Sequence, residues 1–308
     1  MATNAHPAGA SPAERLRLLL KPEGCRLMPC CFDALSARLV EQAGFSLTFM
    51  SGFSVAAART ALPDTGLLSL GEMLDQGRNI CNAVHIPVIG DGDTGHGNAA
   101  NVQRTVVQYS RAGFAGIMLE DQRSPKRCGH TGVREVVERS EALTRIRAAV
   151  DAREAGADLV IVARTGARAA LARSLGDQAA LEEAIWRLEA FADLGADVLF
   201  LEAPHNEAEM ELFCRRVPGW RMANMLEGGL TPLLPPKRLA EMGYRIAAYP
   251  LTLIASAVLA MQTALGDLAC GRKPDQLTSF SSLRTLVGFD AYEDLLQRYG
   301  GKSDQPGT

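Results

Sequence analysis

The chain is 308 residues long, with 47% hydrophobic and 22% charged residues and a formal charge of −3. That apolar content suits one large α/β domain, or two small ones, with a sizeable core. A mildly acidic chain without blocks of like charge, and without interleaved basic and aromatic residues, argues against a nucleic-acid or anionic-membrane partner.

Residues 1–20 open with MATNAHPAGASPAE, small and polar and without the apolar core of a signal peptide, and are read as a flexible tail. From Arg26 onward one unit repeats: a short apolar run, a few polar or glycine residues, then a segment of helical period. The strand runs are Arg26–Cys30, Leu47–Ser51, Pro87–Asp91, Gly116–Glu120, Leu159–Arg164, Val198–Glu202, Arg221–Asn224 and Arg245–Tyr249. Segments such as GEMLDQGRNICNAV and NVQRTVVQYSRAGF between them have helical patterning, and EQAGF, SRAGF, EAGAD and DLGAD each end a helix on glycine before a strand. Nearly continuous apolar strands alternating with helices predict a parallel sheet covered by helices. Eight such units in about 250 residues predict a (β/α)8 TIM-type barrel. No GxGxxG follows the first strand to favour an open, doubly wound sheet. No Pro/Gly/Ser-rich linker divides the chain, so 21–272 is read as one barrel domain and 273–308 as C-terminal helices and tail.

The longest nearly uncharged run, IAAYPLTLIASAVLAM, is shorter than the roughly 20 residues of a membrane span and is cut by Pro250. A buried strand followed by a buried helix is expected there, with no membrane partner. The seven cysteines, Cys25, Cys30, Cys31, Cys81, Cys128, Cys214 and Cys270, form no CxxC pair. Reduced thiols in a cytoplasmic protein are expected, and a zinc site is not.

Several strands end in polar residues that the apolar run does not require: Asp91-Gly92-Asp93, Glu120-Asp121, Arg164, Glu202 and Asn224. In a barrel these ends surround one mouth, the usual place for an active site. A single charged end reads most simply as a loop salt bridge; five around one mouth do not. Asp91 and Asp93 face the same way if their strand continues. With Glu120 they offer oxygen ligands suited to Mg²⁺, where the structural alternative is an Asp-Gly turn with solvated acids. Arg164 and Lys126 would then face a small polycarboxylate, which arginine binds in a bidentate manner; the structural alternative for Arg164 is a pair with Glu202. Cys128 stands among Lys126, Arg127 and His130, whose charges favour the thiolate and suit the thiol to proton transfer. The polar TGVREVVERSEA that follows predicts a long loop able to act as a lid, with helix resuming near Leu143. The other six cysteines are expected to be inert packing residues.

GDGDTGHGNAANVQRTV, LEDQRSPKRCGH, VARTGARA, FLEAP, NMLEGGLTP and YPLTLIASA, in that order, resemble the isocitrate lyase/phosphoenolpyruvate mutase superfamily from about Arg26 to Leu283. The resemblance implies a (β/α)8 barrel, a homotetramer of dimers that exchange a C-terminal helix, and Mg²⁺ (with Mn²⁺ as the alternative ion). By position it implies Asp91 and Asp93 as metal acids, Glu120 through metal-bound waters, and Asp64 as a supporting acid. It places Ser51, Gly52 and Phe53 in a carboxylate-binding loop, and Arg164 and Asn224 in the substrate site. Cys128 matches a lid thiol, with Lys126, Gly129 and His130 beside it; Glu202 matches a site position and is a candidate base.

The cysteine motif points to the carbon–carbon lyase branch rather than the phosphonate enzymes. The resemblance is closest to the group of 2,3-dimethylmalate lyase, oxaloacetate hydrolase and petal death protein. Methylisocitrate lyases carry two further arginines for a third carboxylate; this chain has Ala255 and Phe280 there. Charge-assisted contacts of that kind contribute about 1.5–3 kcal/mol each, so a dicarboxylate is the better fit. The expected reaction is cleavage of the C2–C3 bond of a 2-alkylmalate, of 2,3-dimethylmalate type, to a 2-keto acid and a carboxylate, with Cys128 as acid/base. Oxaloacetate hydrolysis and methylisocitrate cleavage are the alternatives, followed by phosphonopyruvate chemistry and a non-catalytic barrel. Two departures stand out: Val133-Arg134 where the family lid carries Gly-Lys, and Gly166 where many relatives have Asp.

Overall fold

Strands this short and apolar have to be buried on both faces, and the computed structural model, which describes residues 9–124 and 135–300, shows how. The strands are β1 (Arg26–Cys31), β2 (Thr48–Met50), β3 (Val88–Asp91), β4 (Gly116–Glu120), β5 (Val160–Thr165), β6 (Val198–Leu201), β7 (Trp220–Asn224) and β8 (Ile246–Tyr249). They pair in parallel in chain order and close into a barrel, with β8 against β1. All eight lie within one residue of their predicted ends. The helices are α1 (Pro12–Leu20), α2 (Ala34–Gln42), α3 (Gly52–Thr60), α4 (Leu70–Ala83), α5 (Ala99–Arg111), α6 (Arg139–Glu154) and α7 (Ala167–Leu175). There follow α8 (Asp177–Asp193), α9 (Glu207–Arg216), α10 (Pro236–Met242), α11 (Thr252–Ala269), α12 (Phe280–Val287) and α13 (Phe289–Tyr299). Helix α6 thus begins four residues before the expected Leu143.

Alternate side chains of each strand go to two cores. Met28, Cys30, Phe49, Ile89, Met118, Val162 and Phe200 fill the barrel; Cys31, Met50, Ile117, Ile161 and Leu199 face the helices. The expected flexible tail is corrected over Pro12–Leu20. Ser11 caps α1 by accepting from the Glu14 amide at 3.0 Å, Pro12 sits in the first turn, and Leu16 and Leu20 are fully buried in the inner core. Arg17 binds Asp158 at 2.6 Å and the Leu159 carbonyl at 3.2 Å, which sets α1 against the start of β5, at the end of the barrel opposite the polar strand ends. The sequence signal was Ser-Pro-x-Glu before leucines four apart, an N-cap with proline at the helix start.

The chain divides into two compact units, residues 1–255 with the barrel and 256–308 with most of α11 and all of α12 and α13. In the second unit, Arg284 pairs with Glu293 and lies 4.9 Å from the Phe289 ring, tying α12 to α13. The helix after Pro250 is not the buried one expected. No residue of α11 is buried, and Leu259, Leu265 and Phe280 are 66%, 64% and 76% exposed. By length and composition alone α11, with a mean hydropathy of 1.4, could cross a membrane.

Close approach decides one glycine on the barrel's outer layer. A Cβ on Gly77 of α4 would lie 2.3 Å from the Phe114 ring. Alanine adds up to about 1 kcal/mol of helix propensity, but overpacking a core costs about 1–3 kcal/mol. Gly77→Ala should therefore lower unfolding free energy, read as a reduced urea midpoint at unchanged slope; an increased midpoint would mean that the ring moves aside freely.

Candidate active site

Asp91 ends β3, and both its carboxylate oxygens are held by backbone. The Gly52 N–H donates to Oδ2 at 3.2 Å and the Asp93 N–H to Oδ1 at 3.1 Å. Ser51 caps α3 through its Oγ, so the Gly52 amide belongs to a helix N-terminus, where amides lack intrahelical acceptors and the dipole favours anions. A Cβ on Gly52 would lie 2.5 Å from Asp91 Oδ2, so only glycine allows this approach. The Asp91 carbonyl in turn accepts from the Tyr109 hydroxyl at 2.6 Å, and Tyr109 stacks on Phe114. Nothing in the helical pattern of α5 singled out Tyr109; only the fold brings its hydroxyl to the strand end.

The condition under which Asp91 and Asp93 would share one strand face, a strand that continues past Asp91, is not met. The strand stops at Asp91, and Asp93 has φ +52°, in the left-handed region. The bend follows from pairing with β4: Gly92 N donates to Met118 O at 2.8 Å and Glu120 N to Asp93 O at 2.9 Å. A Cβ on Gly92 would meet the Met118 carbonyl at 2.8 Å. His96 and Ala203, the latter just after Glu202, also have positive φ. Non-glycine residues in this region cost about 1–3 kcal/mol each and persist where surrounding structure over-determines them, often at functional sites.

Arg164 at the end of β5 lies between two acids. Its Nη1 is 3.3 Å from Glu120 Oε2 and its Nη2 3.1 Å from Glu202 Oε2; Gln122 Nε2 also donates to Glu120 Oε2 at 3.1 Å. The guanidinium lies 5.2 Å from the Phe200 ring. Burial works against its charge, but Glu202, Glu120, Asp91 and Asp64 more than reverse this and raise its pKa. Both readings of Arg164 thus have a physical basis, since it pairs with Glu202 and also sits among the acids at the mouth. Asp91, Asp93, Glu120 and Glu202 are buried and Asp64 and Asn224 half-buried. Ser51 and Gly52 are buried, whereas Phe53 is 38% exposed. Lys126, Cys128, Gly129 and His130, with Val133 and Arg134, lie outside the described residues.

Several carboxylates around one guanidinium leave an excess of negative charge, which suits a hard cation. Among the described residues no three His, Cys, Asp or Glu side chains form a closed metal cage. Mg²⁺ does not need one, because it keeps several waters and takes one or two carboxylates plus substrate oxygens. The cradle at Asp91, where glycine opens the space and amides orient the oxygens, fits such an ion.

The family described as phosphoenolpyruvate phosphomutase matches residues 16–269. The chain is 40% identical over 299 residues to carboxyvinyl-carboxyphosphonate phosphorylmutase of Arabidopsis thaliana, covering 96% of this chain and 86% of that one. It is 40% identical over 284 residues to 2,3-dimethylmalate lyase of Eubacterium barkeri, covering 92% and 93%. Among solved structures, oxaloacetate acetylhydrolase in complex with 3,3-difluorooxalacetate superposes with a TM-score of 0.87 at 34% identity, covering 95% and 98%. Phosphonopyruvate hydrolase, solved with oxalate and Mg²⁺, superposes at 0.81 with 29% identity, covering 94% and 99%.

Six thiols lie within the described residues, and all are free. Burial pushes Cys25 up to about 11 and Cys31, Cys81 and Cys214 up to about 12, and raises Cys30 well above the ordinary thiol range. Cys270 departs from the expected packing role, since it is exposed. Iodoacetamide at neutral pH should therefore spare those five buried or half-buried cysteines and modify Cys270 in the folded protein. Peptide masses showing Cys81 or Cys214 labelled as fast as Cys270 would contradict it.

Proposed function

The chain belongs to the phosphoenolpyruvate mutase/isocitrate lyase superfamily, and from that premise we propose that it is a carbon–carbon lyase acting on a small 2-hydroxy dicarboxylate. The observation that carries this reading is Arg164, a cation at the barrel mouth paired with Glu120 and Glu202, with the backbone-cradled Asp91 carboxylate acting on it from further off. The guanidinium is suited to a substrate carboxylate, and the dipole of α3, whose N-terminus lies at Ser51–Phe53, favours a second anion nearby. Ala255 and Phe280 supply no cation for a third carboxylate, which favours a 2-alkylmalate of 2,3-dimethylmalate type over 2-methylisocitrate.

Asp91 and Asp93 would hold Mg²⁺, or Mn²⁺, with Glu120 and Asp64 in support. When bound, the ion supplies Lewis-acid stabilisation of the oxygen that passes from hydroxyl to ketone. Arg164 and Asn224 orient the substrate. Glu202, within ion-pair distance of Arg164, is the candidate to take the 2-hydroxyl proton. Loss of that proton breaks C2–C3, forming the 2-keto acid and leaving the bonding pair on C3 as an enolate. Cys128, set among Lys126 and His130, would deliver a proton to that carbon. Hydrolysis of oxaloacetate, in which the hydrated ketone provides the hydroxyl, is the second reading, favoured by the likeness to oxaloacetate acetylhydrolase. The phosphorylmutase relative makes phosphonate chemistry a third; the KRCGH cysteine speaks against it.

The exposed leucines and aromatics of α11–α13 favour burial by further copies of the chain, as in a tetramer of dimers that exchange C-terminal helices, over a membrane. Six free thiols fit a reducing, cytoplasmic setting.

Proton NMR of the protein with Mg²⁺ and 2,3-dimethylmalate should show pyruvate and propionate, abolished by EDTA and reduced at least about 100-fold in Cys128→Ser. Succinate and pyruvate from 2-methylisocitrate instead would overturn the dicarboxylate assignment, and undiminished turnover by Cys128→Ser would remove the role of the thiol. Sedimentation equilibrium should give four times the chain mass; a monomer would overturn the subunit arrangement.

A further inference from the structure

The chain on either side of residues 125–134 is paired with itself. Gln122 and Val136 form an antiparallel bridge, Arg123 N donates to Glu135 O at 2.9 Å, and Val137 N donates to Asp121 O at 2.9 Å. Both stretches are held by buried arginines. Arg187 of α8 donates through Nη1 to the Val137 carbonyl at 2.9 Å and to Asp121 Oδ2 at 3.0 Å. Arg145 of α6 donates through Nη1 to Glu120 O at 3.2 Å and Gln122 O at 2.7 Å.

Asp121 carries the connection further. Its Oδ2 accepts from the Thr165 hydroxyl at 2.6 Å and its Oδ1 from the Gly166 amide at 2.9 Å. These are the two residues after Arg164. One guanidinium therefore joins the two stretches and the end of β5 that carries Arg164. The pair is deeply buried, Asp121 2% and Arg187 4% exposed. Desolvating two charges is costly, and a well-packed apolar pair in the same space is often as stable or more so. Stability alone gives little reason for charges here. An ionic pair does what an apolar one does not: it fixes carbonyls and amides of separate segments at defined distances.

We propose that Arg187, acting through Asp121, is a positioning residue that sets the paired stretches 121–123 and 135–137 in register with Arg164. This rests on the reading of Cys128 as the proton donor, because register matters to the reaction only if that segment carries a reacting group.

The test compares wild type with Asp121→Asn/Arg187→Met and with Arg187→Lys. The double variant removes both charges together, so no charge is left buried alone; the lysine keeps the charge but loses the fork of donors. Folding is checked by circular dichroism and thermal midpoint. In whichever variant folds, kcat on 2,3-dimethylmalate should fall about 10- to 100-fold, the scale expected of a misplaced reacting group, while KM changes less than about 3-fold, and Arg187→Lys should recover part of the loss. Independently of turnover, the iodoacetamide rate at Cys128, divided by that at Cys270, should shift at least about 3-fold, with faster amide hydrogen exchange over 121–124 and 135–137. If wild type turns over none of the substrates, the lyase reading fails and the labelling ratio with exchange still decides the positioning role. A folded variant with wild-type kcat, KM, labelling ratio and exchange overturns the proposal.

Discussion

Gathering carboxylates at one end of a parallel barrel is a repulsion problem, and its solution here depends on the Arg164 guanidinium. Glu120 and Glu202 sit on either side of it within 3.3 Å, and Asp91 and Asp64 act on it from further off. An isolated charge buried to this degree would be pushed towards neutrality. The surrounding acids offset the cost of burying its charge, and Glu120 and Glu202 each gain a counter-charge. The excess of negative charge that remains is the basis of the metal site proposed above, and the guanidinium at its centre is the basis of the proposed anionic substrate.

The barrel supplies the rigidity that this balance needs. Alternating strand side chains fill an inner and an outer core, so the strand ends cannot drift independently. At one end Leu16 and Leu20 of α1 close the inner core with hydrocarbon. At the other, the chain bends as soon as β3 has delivered Asp91, and Gly52 and Gly92 allow backbone to approach where a side chain would clash. Division of labour between the two ends, one packed and one polar, is the general logic of this fold.

The second unit follows different rules. Its helices hold together through local pairs such as Arg284–Glu293, yet present leucines and aromatics over most of their length. Large apolar surfaces are in general a mark of interaction sites, which is the basis of the subunit arrangement proposed above, and the same composition that makes α11 resemble a membrane span by length and hydropathy serves equally to pack helices against protein.

The sequence by itself determined the barrel. Strands buried on both faces must be written as continuous apolar runs, and the glycines that end the helices mark where each run begins. It also determined which strand ends are polar, because Asp91, Glu120, Arg164 and Glu202 interrupt runs that nothing local requires to stop. Helix α1 was legible in principle through its cap and its leucines, but the polar residues before it masked the signal. Three things were decided only by the tertiary structure: the bend that ends β3 before Asp93, the exposure of α11, and the union of Asp121 with Arg187 from 66 residues away. An arginine in a helix rich in charge carries no local mark of its partner. Periodicity records which face of an element is buried, whereas a hydrogen bond or ion pair depends on distances between segments that only the folded chain brings together.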